Sequence, residues 1–401
     1  MNWRLRFVSF FICSAFAVLA FWYYRYYISP RPNGVIVFIV PALTPELITN
    51  YKLVQNLNTS FIVDHATDFT VVDNTALYPL GLDTASIMSF FSTGVAGPAN
   101  ELGLDENNNR LDNLLYRAQR AGRLAGIIST ESVISIHLAA FYAHTKKAWD
   151  KEDLSRQLID AGSLNTIMGG GSADLNQYTA EAPRDLLKEA DLNGFDLVRD
   201  NTQLEDTGVW IWRNTLKTRK LLGLFSAGPL PYVDPSLIDN TNKEGEIPTL
   251  KSMVRNSIQF LQYNLNGYFL VVHHGKIEQA SRENNYPQLL QEIRELDRAM
   301  AEARSYAGPN TLILLYSPYS VQGLGIITKG EAPSGSKGIL PQTRRVNGEK
   351  IPVLLEYPGP FRPEMEFNPG NGWASVYYYK PTYLKSFVTP NGLNELLTSE
   401  F

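Results

Sequence analysis

The chain has 401 residues, 44% of them hydrophobic and 19% charged, with a net charge of −4. That balance suits one large α/β domain. It leaves no basic surface for nucleic acid, and the absence of internal repeats excludes a solenoid.

Phe7 to Tyr24 is uncharged and close to the length of a bilayer-crossing helix. Trp22, Tyr23, Tyr24, Tyr26 and Tyr27 follow as an aromatic cluster suited to a membrane interface. Arg4 and Arg6 precede the run and Arg25 and Arg31 follow it, so charge sets the orientation poorly. Residues 1–30 are expected to be a single-pass signal-anchor and linker, with the domain at 31–401 extracytoplasmic. The alternative is cleavage at Ala15-Phe16-Ala17 and secretion. The only cysteine, Cys13, lies in this run, so no disulfide framework supports the domain. Asn58-Thr59-Ser60 is a glycosylation sequon.

Val35 to Val40 reads as a buried parallel strand, ended by Pro41. Thr44-Pro45-Glu46 opens a helix through about Leu57, and Phe69 to Val72 is a second strand. Asp83 or Thr84 caps a helix that Gly94 closes. Leu111 to Ala121 is helical and leads into the strand 125–129; Asp153 to Ala161 is an amphipathic helix. Thr166 to Met168 is a short strand, and Gly169-Gly170-Gly171 reads as a turn after it, without the Lys-Ser/Thr of a phosphate-cradling loop. Helices at 183–192, 249–263 and 287–303 alternate with strands at 221–225, 268–272, 312–316 and 375–379. Such alternation predicts a doubly wound, mostly parallel sheet in a three-layer sandwich, with ligands outside the carboxyl ends of the strands.

The ordered set Asp83-Thr84-Ala85, Glu101-Leu102-Gly103-Leu104-Asp105, Leu111 to Leu115, Ala139 to His144, Ile167 to Gly171, Leu221 to Phe225 and Tyr268 to Val272 resembles the alkaline phosphatase family, from about Val35 to Tyr379. The resemblance implies that fold, and a site of metal ions held by carboxylates and histidines. It places Thr84 where the family has its serine nucleophile, beside Asp83. It also implies many losses. The family's bridging Asp falls at Pro41; its phosphate-binding Arg near Ser132; its magnesium-site residues near Ser135 and His137, with the Glu at His273. Its zinc Asp becomes Glu278 and its zinc His becomes Arg282. Its Ala-Asp-His aligns with Ser317-Pro318-Tyr319, and its last zinc His falls near Pro369.

A hydroxyl nucleophile needs activation, and the phosphoryl charge needs metals and arginine to offset it. The expectation is therefore a pseudoenzyme-like, membrane-tethered scaffold in which Thr84 is vestigial and no cofactor is bound. The alternative is an ester hydrolase using Thr84 with zinc or magnesium at a remodelled site of His137, His273 and Glu278. Glu278 and Arg282 stand four apart and on a helix would pair, filling the former metal volume. His65 and His144 read as structural and His274 as a loop residue. Because the family commonly forms homodimers, self-association or pairing with an active relative is expected.

Overall fold

The structure is a computed structural model describing residues 3–24, 31–45, 47–48, 51, 65–77, 79–160, 164–175, 185–206, 220–236, 245–321, 339–346, 349–356, 367–368, 371–377 and 387–401. The sequon and most of the helix expected after Pro45 lie outside these residues. The N-terminal run forms α1 (Trp3–Tyr23), with Phe7, Phe10, Phe16 and Leu19 exposed. The membrane-spanning expectation is corrected: among the described residues no helix is long and apolar enough to cross a membrane.

The strands of the main sheet are β1 (Gly34–Ile39), β2 (Asp68–Asp73), β3 (Leu124–Ser132), β4 (Thr166–Gly170), β5 (Phe195–Val198), β6 (Lys220–Leu224), β7 (Tyr268–His273), β8 (Thr311–Ser317), β9 (Asn371–Tyr377) and β10 (Phe387–Val388). They form one sheet in the order β10-β2-β9-β8-β1-β7-β3-β4-β6-β5. All pairings are parallel except those of β9, which runs antiparallel to β2 and β8. Every residue of β1 is buried, as its apolar run requires of a central strand. Its side chains alternate: Val35, Val37 and Ile39 enter one core, Ile36 and Phe38 the other.

On the first face pack α2 (Thr84–Thr93), α3 (Leu114–Arg120), α4 (Lys151–Asp160) and α5 (Leu186–Leu192). On the second pack α6 (Leu250–Leu261), α7 (Lys276–Arg282) and α8 (Tyr286–Ala307). The expected three layers are thus present.

Two local readings change. α3 starts at Leu114 because the Asn113 side chain accepts from the Tyr116 N–H and caps the helix there. Gly169 and Gly170 belong to β4, and only Gly171, at φ 91°, turns the chain. A Cβ on Gly170 would stand 2.1 Å from the Gly228 carbonyl, so glycine here permits a close backbone approach.

Sequence periodicity gave no sign of α9 (Pro390–Ser399), which returns to the first face. Its Asn394 amide donates to the carbonyls of Phe91 and Ser92, satisfying the C-terminal end of α2.

Candidate functional site

The carboxyl ends of β3, β7 and β8 and the N-terminus of α2 converge on a cavity of about 650 Å³, whose lining includes Thr84, Glu131, His137, Trp149, Glu278 and Tyr319. The sheet topology places it where the sequence expects ligands.

Asp83 caps α2. One carboxylate oxygen accepts from the Ser86 N–H at 2.7 Å and the other from the Asn100 N–H at 2.7 Å, while the Ser86 hydroxyl accepts from the Asp83 N–H. This capping box satisfies donors at the start of α2. Thr84, the next residue, has its hydroxyl close enough to the Tyr319 phenol to interact with it.

Tyr319 is the hub of the site. Its ring is fully buried, and its phenol oxygen lies 2.9 Å from His137 Nε2 and 3.1 Å from Glu278 Oε2. Burial, reinforced by Glu278, raises the phenol pKa well above its ordinary value, so it keeps its proton. Burial likewise lowers His137 to about 4, so the imidazole is neutral. One arrangement satisfies all partners. The phenol donates to Glu278 and accepts from His137 Nε2–H and from the Thr84 hydroxyl.

Glu278 meets Arg282 across one turn of α7, with Nε at 2.9 Å and Nη2 at 2.6 Å from Oε1. The expected pair therefore forms, but it is not internal: the Arg282 side chain is 47% exposed and that of Glu278 13%. Water screens the guanidinium at the cavity wall. Arg282→Ala should consequently lower stability by no more than about 1 kcal/mol in chemical unfolding; a loss several times larger would mean the pair holds the wall together.

His273 stacks on His137, ring centroids 4.3 Å apart. Its Nδ1 faces the hydroxyls of Ser129 at 3.0 Å and Ser135 at 3.2 Å, and burial lowers its pKa well below the ordinary value. The candidate metal residues His137, His273 and Glu278 are thus neighbours. Among the described residues no group of three or more His, Cys, Asp or Glu could hold a metal ion. His137 Nε2 and one Glu278 oxygen are taken by the phenol, the other Glu278 oxygen by Arg282, and His273 Nδ1 by the serines. Pro41 is buried without a donor atom, and the Ser132 hydroxyl donates to Asp174 at 2.7 Å. Pro369 lies outside the described residues. His273 Nε2, by contrast, is buried without a hydrogen-bond partner among the described residues, so the donor atoms of this set are not all engaged by other side chains.

His274 is a loop residue, as expected, between β7 and α7, and it is fully buried, its Nε2–H donating to the Glu292 carbonyl at 3.1 Å. His144 is structural, bonded to the Leu111 carbonyl at 2.9 Å, and His65 is exposed. The sequence drew no attention to Glu131, Trp149, Lys151 or Asp174, which also line the cavity. The place of Glu131 at the carboxyl end of a strand was the one available signal.

The alkaline phosphatase family pattern matches residues 34–358. The chain belongs to the alkaline phosphatase family. Alkaline phosphatase 4 of Bacillus subtilis is 24% identical over 256 residues, 62% of this chain and 51% of that protein. Alkaline phosphatase 3 of the same organism is 24% identical over 311 residues, 74% of this chain and 63% of its own length. The tissue-nonspecific alkaline phosphatase of Gallus gallus is 27% identical over 321 residues, 69% and 60% of the two chains. The matched region therefore spans less than two thirds of these relatives. Among solved structures, the alkaline phosphatase of the Antarctic bacterium TAB5 superposes with a TM-score of 0.70 at 17% identity, covering 92% of this chain and 98% of that one. That of Thermus thermophilus gives 0.70 at 17%, covering 94% and 92%. At such identities the superpositions establish the alkaline phosphatase fold alone.

Proposed function

We propose that this chain is an alkaline phosphatase-like binding protein without phosphatase activity. The observation that carries the reading is the Tyr319 phenol oxygen, which stands where Thr84, His137 and Glu278 converge. Hydrolysis by this scaffold needs a hydroxyl activated for attack and cationic groups facing the phosphoryl oxygens. Here the hydroxyl of Thr84 bonds to a phenol that keeps its proton, and the cavity's Arg282 is bound to Glu278. The test is release of nitrophenol from p-nitrophenyl phosphate with added zinc and magnesium, run on wild type and Thr84→Ala. Both should match the protein-free rate, with no zinc retained after purification without chelators. Turnover abolished in Thr84→Ala would end the proposal.

The second reading is ester hydrolysis by Thr84, favoured by its place at a helix N-terminus on the cavity wall. The same assay decides between them. Two further elements belong to the proposal. The exposed apolar side chains of α1 support extracytoplasmic display near a membrane, which cell fractionation tests. Pairing with a second copy or an active relative is tested by the mass of the assembly in solution.

A further inference from the structure

Among the described residues, four carboxyl groups line the cavity, Glu131, Asp174, Glu278 and Glu283, against two cations, Lys151 and Arg282. Two of the four are matched in pairs: Lys151 Nζ lies 3.0 Å from Asp174, and Arg282 forks onto Glu278. Glu283 is held by neutral donors only, the Tyr232 hydroxyl and the Gln279 amide. Glu131 has neither. Among the described residues its carboxyl makes no hydrogen bond or ion pair, and it is partly buried, packed against Gly275. The next cation, Lys276, has its ammonium bonded to Gln279 at 2.6 Å and set over the Tyr232 ring. Even with Lys276 counted, one carboxylate remains in excess.

The cavity also presents an unusual aromatic group. Trp149 lines it and is 70% exposed, while Ile134, Ile136 and Leu154 give it apolar walls. A buried carboxyl without a partner is costly, and a cation placed on it recovers that cost. An indole face at the mouth adds attraction for the same charge.

We propose that this cavity binds a small organic cation, a primary ammonium or guanidinium on an apolar body, with its charge on Glu131 and its body against Trp149. The inference rests on the reading that the cavity is no longer a phosphate site, and it reverses the sign of the ligand that the fold would otherwise take. Among the described residues, inorganic phosphate entering here meets more carboxylates than free cations.

Calorimetric titration of the full chain with n-hexylammonium, n-hexylguanidinium, n-hexanol and inorganic phosphate tests it. Both cations should bind, hexanol more weakly by at least about thirtyfold, and phosphate not at all. Glu131→Gln should lose about thirtyfold in affinity for the cations, Glu131→Asp should retain most of it, and Trp149→Ala should lose about two- to fivefold. Should Glu131→Gln not fold, the comparison of hexylammonium with hexanol on wild type decides. Equal binding of hexanol, tighter binding of phosphate, or unchanged affinity in Glu131→Gln overturns the proposal. Metal-dependent phosphatase turnover would instead overturn the reading on which it rests, so the two failures are distinct.

Discussion

At pH 9 the Glu292→Gln variant should be more stable than wild type by roughly 3–5 kcal/mol, and at pH 4.5 the advantage should be gone. Glu292 lies on α8, almost completely buried, with Oε1 accepting from the Val233 N–H at 2.7 Å. Burial, aided by the neighbouring Glu295, pushes its pKa from 4.5 up to about 8 against the opposing pulls of the Val233 N–H and Lys276. His274 faces the other oxygen at 3.6 Å, but burial lowers that imidazole to about 4, so it brings no compensating charge near neutrality. The sign follows directly. Between pH 4.5 and about 8 the folded chain holds a proton here that the unfolded chain has released, so stability falls as pH rises through that window. Glutamine keeps an acceptor for Val233 and carries no titrating proton. Urea unfolding of both proteins across pH 4.5–9 measures the effect, and a difference that does not change with pH would show that Glu292 is ionised in the fold.

The parts of the fold legible in the sequence were those fixed by short-range patterns. β1, β7 and β8 were readable because a strand buried on both faces must be apolar throughout. α2 was readable at both ends, from Asp83 at its cap and Gly94 in the left-handed region at its close. The triple glycine was misread because local sequence reports conformational freedom and not close approach; the constraint on Gly170 comes from Gly228, far along the chain. α9 was missed for a related reason. Its place depends on Asn394 reaching the end of α2, about three hundred residues away in sequence.

The site divides along the same line. Losses at Pro41, Ser132 and Arg282 could be read by position, since each is a matter of which atoms a side chain carries. What fills the space could not. Tyr319 counted only as a missing ligand, yet its phenol joins residues from α2, from the segment after β3 and from α7. Glu131 looked like any acidic residue until the absence of a partner became visible. Unmatched charge is a property of three-dimensional neighbourhoods, and no local pattern encodes it.

Tyr319→Phe should cost roughly 2–4 kcal/mol although it removes a single oxygen. The ring stays and its packing is retained, so no cavity term enters. What changes is that three groups lose one shared partner. His137 Nε2–H is left as a buried donor without an acceptor, and burial already keeps that imidazole neutral, so it cannot recover by charging. Glu278 Oε2 loses its donor, although Arg282 still holds the other oxygen. Thr84 is half-buried at the cavity wall and can turn to water, so its share is the smallest. Thr84→Val is therefore the control and should cost about 1 kcal/mol or less. Thermal and urea unfolding of the two variants separate the contributions. If Tyr319→Phe proved as mild as Thr84→Val, then His137 and Glu278 would have other partners in solution, and the phenol would not be the hub that joins them.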